Sequence, residues 1–261
     1  LNTGKYNFNF VLTPMVHWPD NMLTYLKEER VLFSNDAFGQ HIASAERFDD
    51  EFPLDIILFE ARKYYANIVL PYGEQVKKAL AAAAGLDISV IAPSHGIIWR
   101  KHIADIVTSY GEWSNNVTSN KALIIYDTMW NSTKKIAFAV SRAFEKRGIP
   151  AQMMSLQTNH ISDIMTEILD SRYICVGSPT LNNNMLPTVA AFLTYLKGLS
   201  PKKRTALAFG SYGWGGQSVV QVEEDLSSCG FTMLESIKVK YIPGDDVLSG
   251  ITQKLEKELM P

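Results

Sequence analysis

Apolar and polar positions follow two different rhythms along the chain. From Lys121 onward the rhythm is regular. "ALIIY" (122–126) is a continuous apolar run, and "STKKIAFAVSRAFEKRG" places Ile136, Ala137, Val140 and Phe144 on one helical stripe. Gly148 suits the left-handed stop after that helix. The alternation continues with "AQMMSL" and "SDIMTEILDS", "YICVG" and "LPTVAAFLTYLKGL", and "TALAFG" and "GQSVVQVEEDLSSCG". It closes with "FTMLESIKVK" and "DVLSGITQKLEKELM". This predicts five β-α units. Continuously apolar strands are those covered on both faces. Right-handed crossovers then predict an α/β, three-layer, doubly wound parallel sheet. Ligands on such sheets sit at the carboxyl ends of the strands, at the switch point.

Residues 1–117 are less regular. The runs "NFNFVLT", "TYLKE" and "RVLFSN" predict strands. "PLDIILFEARKYYANIVLPY" and "GEQVKKALAAAAGL" predict helices, and a strand "ISVIAP" and a helix "IIWRKHIADIVTSYGEW" follow. The segment "SNNVTSN" (114–120) carries almost only amide and hydroxyl side chains. A boundary is expected there, with domains 1–117 and 118–261.

Composition narrows the function classes. A net charge of -2 offers no basic field for nucleic acid. No apolar run approaches the ~20 residues of a membrane span. The two cysteines, Cys175 and Cys229, are too few for a disulfide framework and read as small core residues. With no signal peptide visible, a cytoplasmic setting is expected. The chain opens on "LNTGKYNFNFVL", without Met, as if a strand were already under way. A fragment or trimmed product is the expectation.

Three predicted strand ends in the regular half carry unusual loops. In "YDTMWNSTKK" the hydroxyls of Thr128, Ser132 and Thr133 surround a helix start near Ser132. A helix N-terminus presents free N–H groups and partial positive charge, so the combination can cradle a phosphate without a cation. A plain Ser or Thr helix cap is the alternative. "GSPTLNNNM" (177–185) and "GSYGWGGQ" (210–217) add glycines, amides and aromatics. Trp130, Tyr212 and Trp214 could stack on a planar ring. The spacing of Gly210, Gly213 and Gly216 is not G-x-G-x-x-G and follows the fourth strand of this half, so a dinucleotide fingerprint is rejected.

Taken together these loops resemble the flavodoxin family, with Trp130-Asn131 where simple flavodoxins have glycine. The resemblance implies strand order 2-1-3-4-5 and bound FMN. It places Thr128, Met129, Trp130, Asn131, Ser132 and Thr133 on the phosphate loop. It places Pro179, Thr180, Leu181, Asn182 and Asn183, with Gly210, Ser211, Tyr212, Gly213, Trp214 and Gly216, around the isoalloxazine.

In the first half, "HWPD", "SNDAFGQH" and "PSHG" are polar islands at predicted strand ends. They supply His17, Asp36 and His95, a donor set suited to iron, zinc or manganese. A carboxylate can bridge two cations through its two oxygens. A buried histidine, a turn aspartate and a strand-end His-Gly are the structural alternatives. Asp20 and Trp18-Pro19 read as structural, and Tyr64, Tyr65 and Tyr72 as packing that could line a pocket.

"PMVHWPDNM", "VLFSNDAFGQH", "YYANIVLPY" and "PSHGIIWR" ahead of a flavodoxin-like half are similar to the flavodiiron proteins. The resemblance spans 1–261 and implies the C-terminal part of a metallo-β-lactamase-like αββα domain followed by the flavodoxin-like one. It implies two irons, with His17 on one, His95 on the other and Asp36 bridging, these three being the catalytic and metal residues. The family's other ligands lie in an upstream H-x-E-x-D-H motif that this chain lacks, so a missing N-terminal segment is expected to supply them. His41 is read as a supporting or loop residue. The activity implied is transfer of electrons from a rubredoxin-like donor through FMN to a diiron centre that reduces O2 to water or NO to N2O, in a head-to-tail homodimer. Two rivals remain: an FMN-binding electron carrier without a working metal site, and a metal-dependent hydrolase.

Overall fold

The structure, a computed structural model, describes residues 1–259; Met260, where the last predicted helix was expected to end, and Pro261 lie outside the described residues. The chain divides into two compact units, Leu1–Val117 and Thr118–Pro261.

The first unit has a four-stranded sheet in the order β1 (Phe8–Leu12), β2 (Met22–Leu26), β3 (Val31–Asn35), then β4 (Val90–Pro93), reached after two helices. The first two pairings are antiparallel and the β3–β4 pairing is parallel. Between β3 and β4 run α1 (Leu54–Tyr64) and α2 (Gly73–Ala83). The single long helix expected over 53–72 is interrupted. After Tyr64 the backbone widens into a π-helical segment, Tyr65–Val69, then tightens into a 3₁₀ turn, Leu70–Tyr72. Pro71 cannot donate a helical N–H, so a regular ladder cannot pass through it.

The last helix of the unit, α3 (Ile103–Ser114), starts later than its apolar pattern suggests. Residues 97–99 are extended instead, and Trp99 exchanges backbone hydrogen bonds with Ile91 at 2.9 and 2.8 Å. The reason is Asp49. Its buried carboxylate accepts the N–H groups of Arg100 (3.0 Å), Lys101 (3.1 Å) and His102 (2.6 Å) just ahead of the helix. Those donors would otherwise be orphaned. His102 is therefore a flanking residue rather than a mid-helix one, with Nδ1 2.9 Å from Asp105.

In the second unit the strands are β5 (Ser119–Tyr126), β6 (Ala151–Ser155), β7 (Ser171–Gly177), β8 (Thr205–Tyr212), the short β9 (Thr232–Met233) and β10 (Ile237–Lys240). Every pairing is parallel, and the order is β6-β5-β7-β8-β10, with β9 also on β8. That is 2-1-3-4-5, as expected of a flavodoxin-like sheet. The fifth expected strand, 231–240, is split. Its register against β8 slips by one residue between Met233 and Ile237, where the Glu235 N–H turns to the Glu258 carboxylate at 2.7 Å.

The helices are α4 (Ser132–Lys146), α5 (Ile161–Ile168), α6 (Pro187–Leu199), α7 (Gln217–Ser228) and α8 (Asp245–Glu258). One face of the sheet packs Ile124, Cys175 and Leu207 against Ile136, Val140 and Phe144 of α4 and Leu255 of α8. Phe192, Leu196 and Val222, from α6 and α7, are fully buried as well. Each such side chain contributes about 1.5–3 kcal/mol through burial. Both cysteines are free and buried.

Candidate functional site

The crossover order leaves a gap where β5 and β7 send their helices to opposite faces of the sheet. The loops above that gap form an open cleft of about 330 Å³. Nine expected residues line it: Thr128, Met129, Trp130, Ser132, Pro179, Thr180, Ser211, Tyr212 and Gly213. Tyr241 and Ile242, from the β10–α8 loop, complete the wall. Sequence reasoning missed these two. Strand order carried the signal, since the fifth strand lies beside the fourth and its carboxyl-end loop opens on the same rim.

Asn131 turns the phosphate-type loop into α4 with a left-handed φ of 63°, and no side chain caps the helix. The N–H groups of that first turn are thus not taken by a cap. A plain Ser or Thr cap is not what these residues make. Thr133 turns inward and its hydroxyl meets that of Ser211 at 3.0 Å. Thr128 is 8% exposed and its Oγ1 is buried without a hydrogen-bond partner. On the other wall the Thr180 hydroxyl meets that of Ser218 at 2.8 Å, and the Thr180 N–H donates to the Ser211 carbonyl at 3.0 Å. Trp130 is 86% exposed and Trp214 92% exposed.

The remaining expected residues lie beside the cleft. Asn182 and Asn183 hold left-handed φ angles of 49° and 60° in a tight turn closed by Leu181 and Asn184. Gly210 is buried beneath the rim, and a Cβ there would overlap the Ser178 carbonyl. Gly216 stands at the start of α7, against the Tyr212 ring.

In the first unit the three metal-type residues converge. His17, which follows a cis peptide bond, places Nε2 3.3 Å from Asp36 Oδ2. His95 places Nε2 3.6 Å from Asp36 Oδ1. The His95 Nδ1 lies 3.2 Å from the Gln40 carbonyl. A carbonyl only accepts, so Nδ1 carries the proton and, in the neutral ring, Nε2 faces the carboxylate as a lone pair. Gly96, at φ 85°, lets Gln40 pack against the turn, because a Cβ there would strike it. The Tyr64 ring lies 5.0 Å from those of both His41 and His95 and 6.5 Å from that of His17. Burial first, then Asp36, raises the Tyr64 phenol above its ordinary range, so it stays protonated. His41 stacks 5.1 Å from His95, and partial burial followed by that neighbour lowers its imidazole. Asp20 is exposed, and His160 serves as the N-cap of α5.

Two imidazole nitrogens directed at separate oxygens of one carboxylate are chemically right for part of a dinuclear metal site. The fit is partial: among the described residues no group of three or more His, Cys, Asp or Glu is arranged to hold a metal ion unaided. The cleft fits a flavin phosphate better, through an orphaned hydroxyl and an uncapped helix start. No helix among the described residues is long and apolar enough to cross a membrane.

The fold and both sites define a two-part architecture, a metallo-β-lactamase-like unit followed by a flavodoxin-like one. Known proteins agree. The family described as "Flavodoxin" matches residues 124–253, and "ODP family beta lactamase" matches 1–96. A nitric oxide reductase of Moorella thermoacetica is 42% identical over 252 residues, 95% of this chain and 63% of that protein. A rubredoxin-oxygen oxidoreductase of Megalodesulfovibrio gigas is 42% identical over 248 residues, 93% of this chain and 62% of that protein. The solved rubredoxin oxygen:oxidoreductase of Desulfovibrio gigas superposes with a TM-score of 0.94 at 40% identity, covering 99% of this chain and 67% of that one. A flavodiiron protein of Giardia intestinalis gives 0.92 at 29% identity, covering all of this chain and 68% of that one. The chain belongs to the flavodiiron protein family. It spans 63% and 62% of the length of the two curated relatives, from Moorella and Megalodesulfovibrio.

Proposed function

We propose that this chain is the flavin-bearing and partial metal-bearing portion of a flavodiiron oxidoreductase that reduces O2, NO or both, with electrons from a rubredoxin-type donor. The observation that carries the reading is the unpartnered, buried Thr128 hydroxyl beside the uncapped start of α4, in a cleft walled by aromatics. When bound there, FMN supplies one- and two-electron transfer. Thr128, Ser132 and the first N–H groups of α4 would hold its phosphate, with Asn131 shaping the turn. Trp130, Tyr212 and Trp214 would cover the ring, and Pro179, Thr180 and Gly213 would line its edge. The exposed tryptophans would then keep water from the ring face they covered.

In the first unit His17, Asp36 and His95 would contribute three ligands to a diiron site, whose other ligands would come from outside residues 1–261. Iron held there would supply redox chemistry. The Gln40 carbonyl holds His95 in the tautomer that presents Nε2. Tyr64, protonated and set against the imidazoles, keeps its proton and can donate a hydrogen bond from its phenolic oxygen. A head-to-tail homodimer and a cytoplasmic location complete the reading. The two lone buried thiols support the latter.

Reconstitution tests it. The purified chain is mixed with FMN and followed by absorbance, with iron per flavin measured alongside. Uptake of one flavin is expected, and a chain that remains colourless overturns the reading. The carrier alternative draws support from the partial donor set. Tight flavin without iron uptake, even after the complete reading frame is expressed, would favour it. A colourless protein that binds zinc and hydrolyses an ester would instead favour the hydrolase.

A further inference from the structure

Asp127 stands directly behind the cleft wall and is 4% exposed. Its Oδ1 accepts the Thr128 N–H at 2.6 Å and the Gln157 side-chain amide at 2.6 Å. Its Oδ2 accepts the Thr188 hydroxyl. The same Gln157 amide also donates to the Thr128 carbonyl at 2.7 Å. Both backbone groups of Thr128 are thereby engaged from behind. Only its hydroxyl is left, buried, without a partner and on the cleft wall.

A buried carboxylate is unfavourable unless it is hydrogen-bonded. This one draws on the peptide after β5, the loop after β6 and the first turn of α6. Satisfying the Thr128 N–H alone would need a single acceptor. A carboxylate one residue from an anion site also repels the anion. A structure that keeps it there gains something that exceeds the repulsion, and the bonds show what: they pin three loops to one point and fix the orientation of Thr128.

We propose that Asp127 is a positioning residue which, with Gln157 and Thr188, locks Thr128 so that its hydroxyl donates to a phosphoryl oxygen of the bound ligand. This rests on the reading that the cleft takes FMN. Preorganised donors bind more tightly because less ordering is left for the binding step. Asp127 contacts neither ring nor phosphate. Its effect passes through Thr128 and belongs to the phosphate end alone.

The test compares FMN with riboflavin, which lacks the phosphate, by quenching of flavin fluorescence on the 261-residue chain. Tighter binding of FMN than of riboflavin by the unsubstituted chain checks the underlying reading before any variant is made. Asp127→Ala is then expected to weaken FMN by about tenfold to a hundredfold and to leave riboflavin within about threefold. Thr128→Val should show a similar loss, and the double variant no further one. Asp127→Asn keeps an acceptor for the Thr128 N–H and should recover most of the affinity. Equal losses for the two flavins, or losses that multiply in the double variant, would overturn the proposal. Should Asp127→Ala fail to fold, Thr188→Val frees one oxygen while keeping the charge. An unchanged FMN-to-riboflavin ratio in that variant overturns the proposal equally.

Discussion

The hydroxyls of Thr133 and Ser211 meet at 3.0 Å, joining the first turn of α4 to the end of β8. Both residues are buried, yet they come from a helix start and a strand end 78 positions apart. The bond clips the phosphate-type loop to the loop on the far side of the cleft. Thr133→Val keeps the shape and deletes the bond, leaving the Ser211 hydroxyl without its partner. A loss of about 1–3 kcal/mol is expected. Urea unfolding would measure it, and an unmoved midpoint would contradict this account of the rim.

Trp130 is almost wholly exposed on the cleft wall, so little of its surface contributes to folding. Trp130→Ala is expected to leave stability within about 0.5 kcal/mol. If the ring stacks on a ligand, FMN affinity should drop by about 0.5–1.5 kcal/mol. Titration of the variant beside the parent decides, and identical dissociation constants would remove Trp130 from the site.

Asp36 faces both imidazoles with its carboxylate, at 3.3 and 3.6 Å. Anaerobic incubation with ferrous iron, followed by desalting and metal analysis, should find fewer than two irons per chain. Asp36→Ala should lose even that remainder, because two neutral imidazoles alone cannot bridge cations. Two retained irons in the variant would show that Asp36 is not a ligand.

Asp49 is buried and accepts three consecutive N–H groups ahead of α3. Asp49→Ala orphans those donors, and about 1–3 kcal/mol of stability should be lost from the first unit. Flavin binding, which uses residues of the other unit, serves as the internal control. A variant as stable as the parent would mean that α3 holds its start without the cap.

Cys175 is fully buried and Cys229 nearly so, and burial pushes both thiols above their ordinary range. The thiolate is the reactive form, so neither should react with a disulfide reagent in the native chain at neutral pH. Denaturation should release both. One fast native thiol would place a cysteine at the surface.

Much of the fold was legible before any coordinates. Unbroken apolar runs such as "ALIIY" and "YICVG" read as strands covered on both faces, which led to a doubly wound parallel sheet, while its order, 2-1-3-4-5, came from the resemblance of the loops to the flavodoxin family. Local pattern also marked the loops, because hydroxyls, amides and exposed aromatics stand out against such runs. The break inside 53–72 was not legible in the same way. Pro71 rules out a regular ladder at its own position, but nothing local foretells the π-helical widening ahead of it, which packing selected. The late start of α3 was equally hidden, since Asp49 acts from 51 positions away.

Beyond the family resemblance, which supplied the joint role of His17, Asp36 and His95, residue type and spacing alone determined a doubly wound parallel sheet and a hydroxyl-rich loop at one of its strand ends. Those are short-range properties, set by side-chain chemistry and by the periods of helix and strand. Tertiary structure decided which of these groups meet. It set Asp36 between two histidines, brought Tyr241 and Ile242 to the cleft, and tied Asp127 to Gln157 and Thr188. Such pairings depend on how distant segments close on one another, and no local pattern records the distance between residues that far apart along the chain.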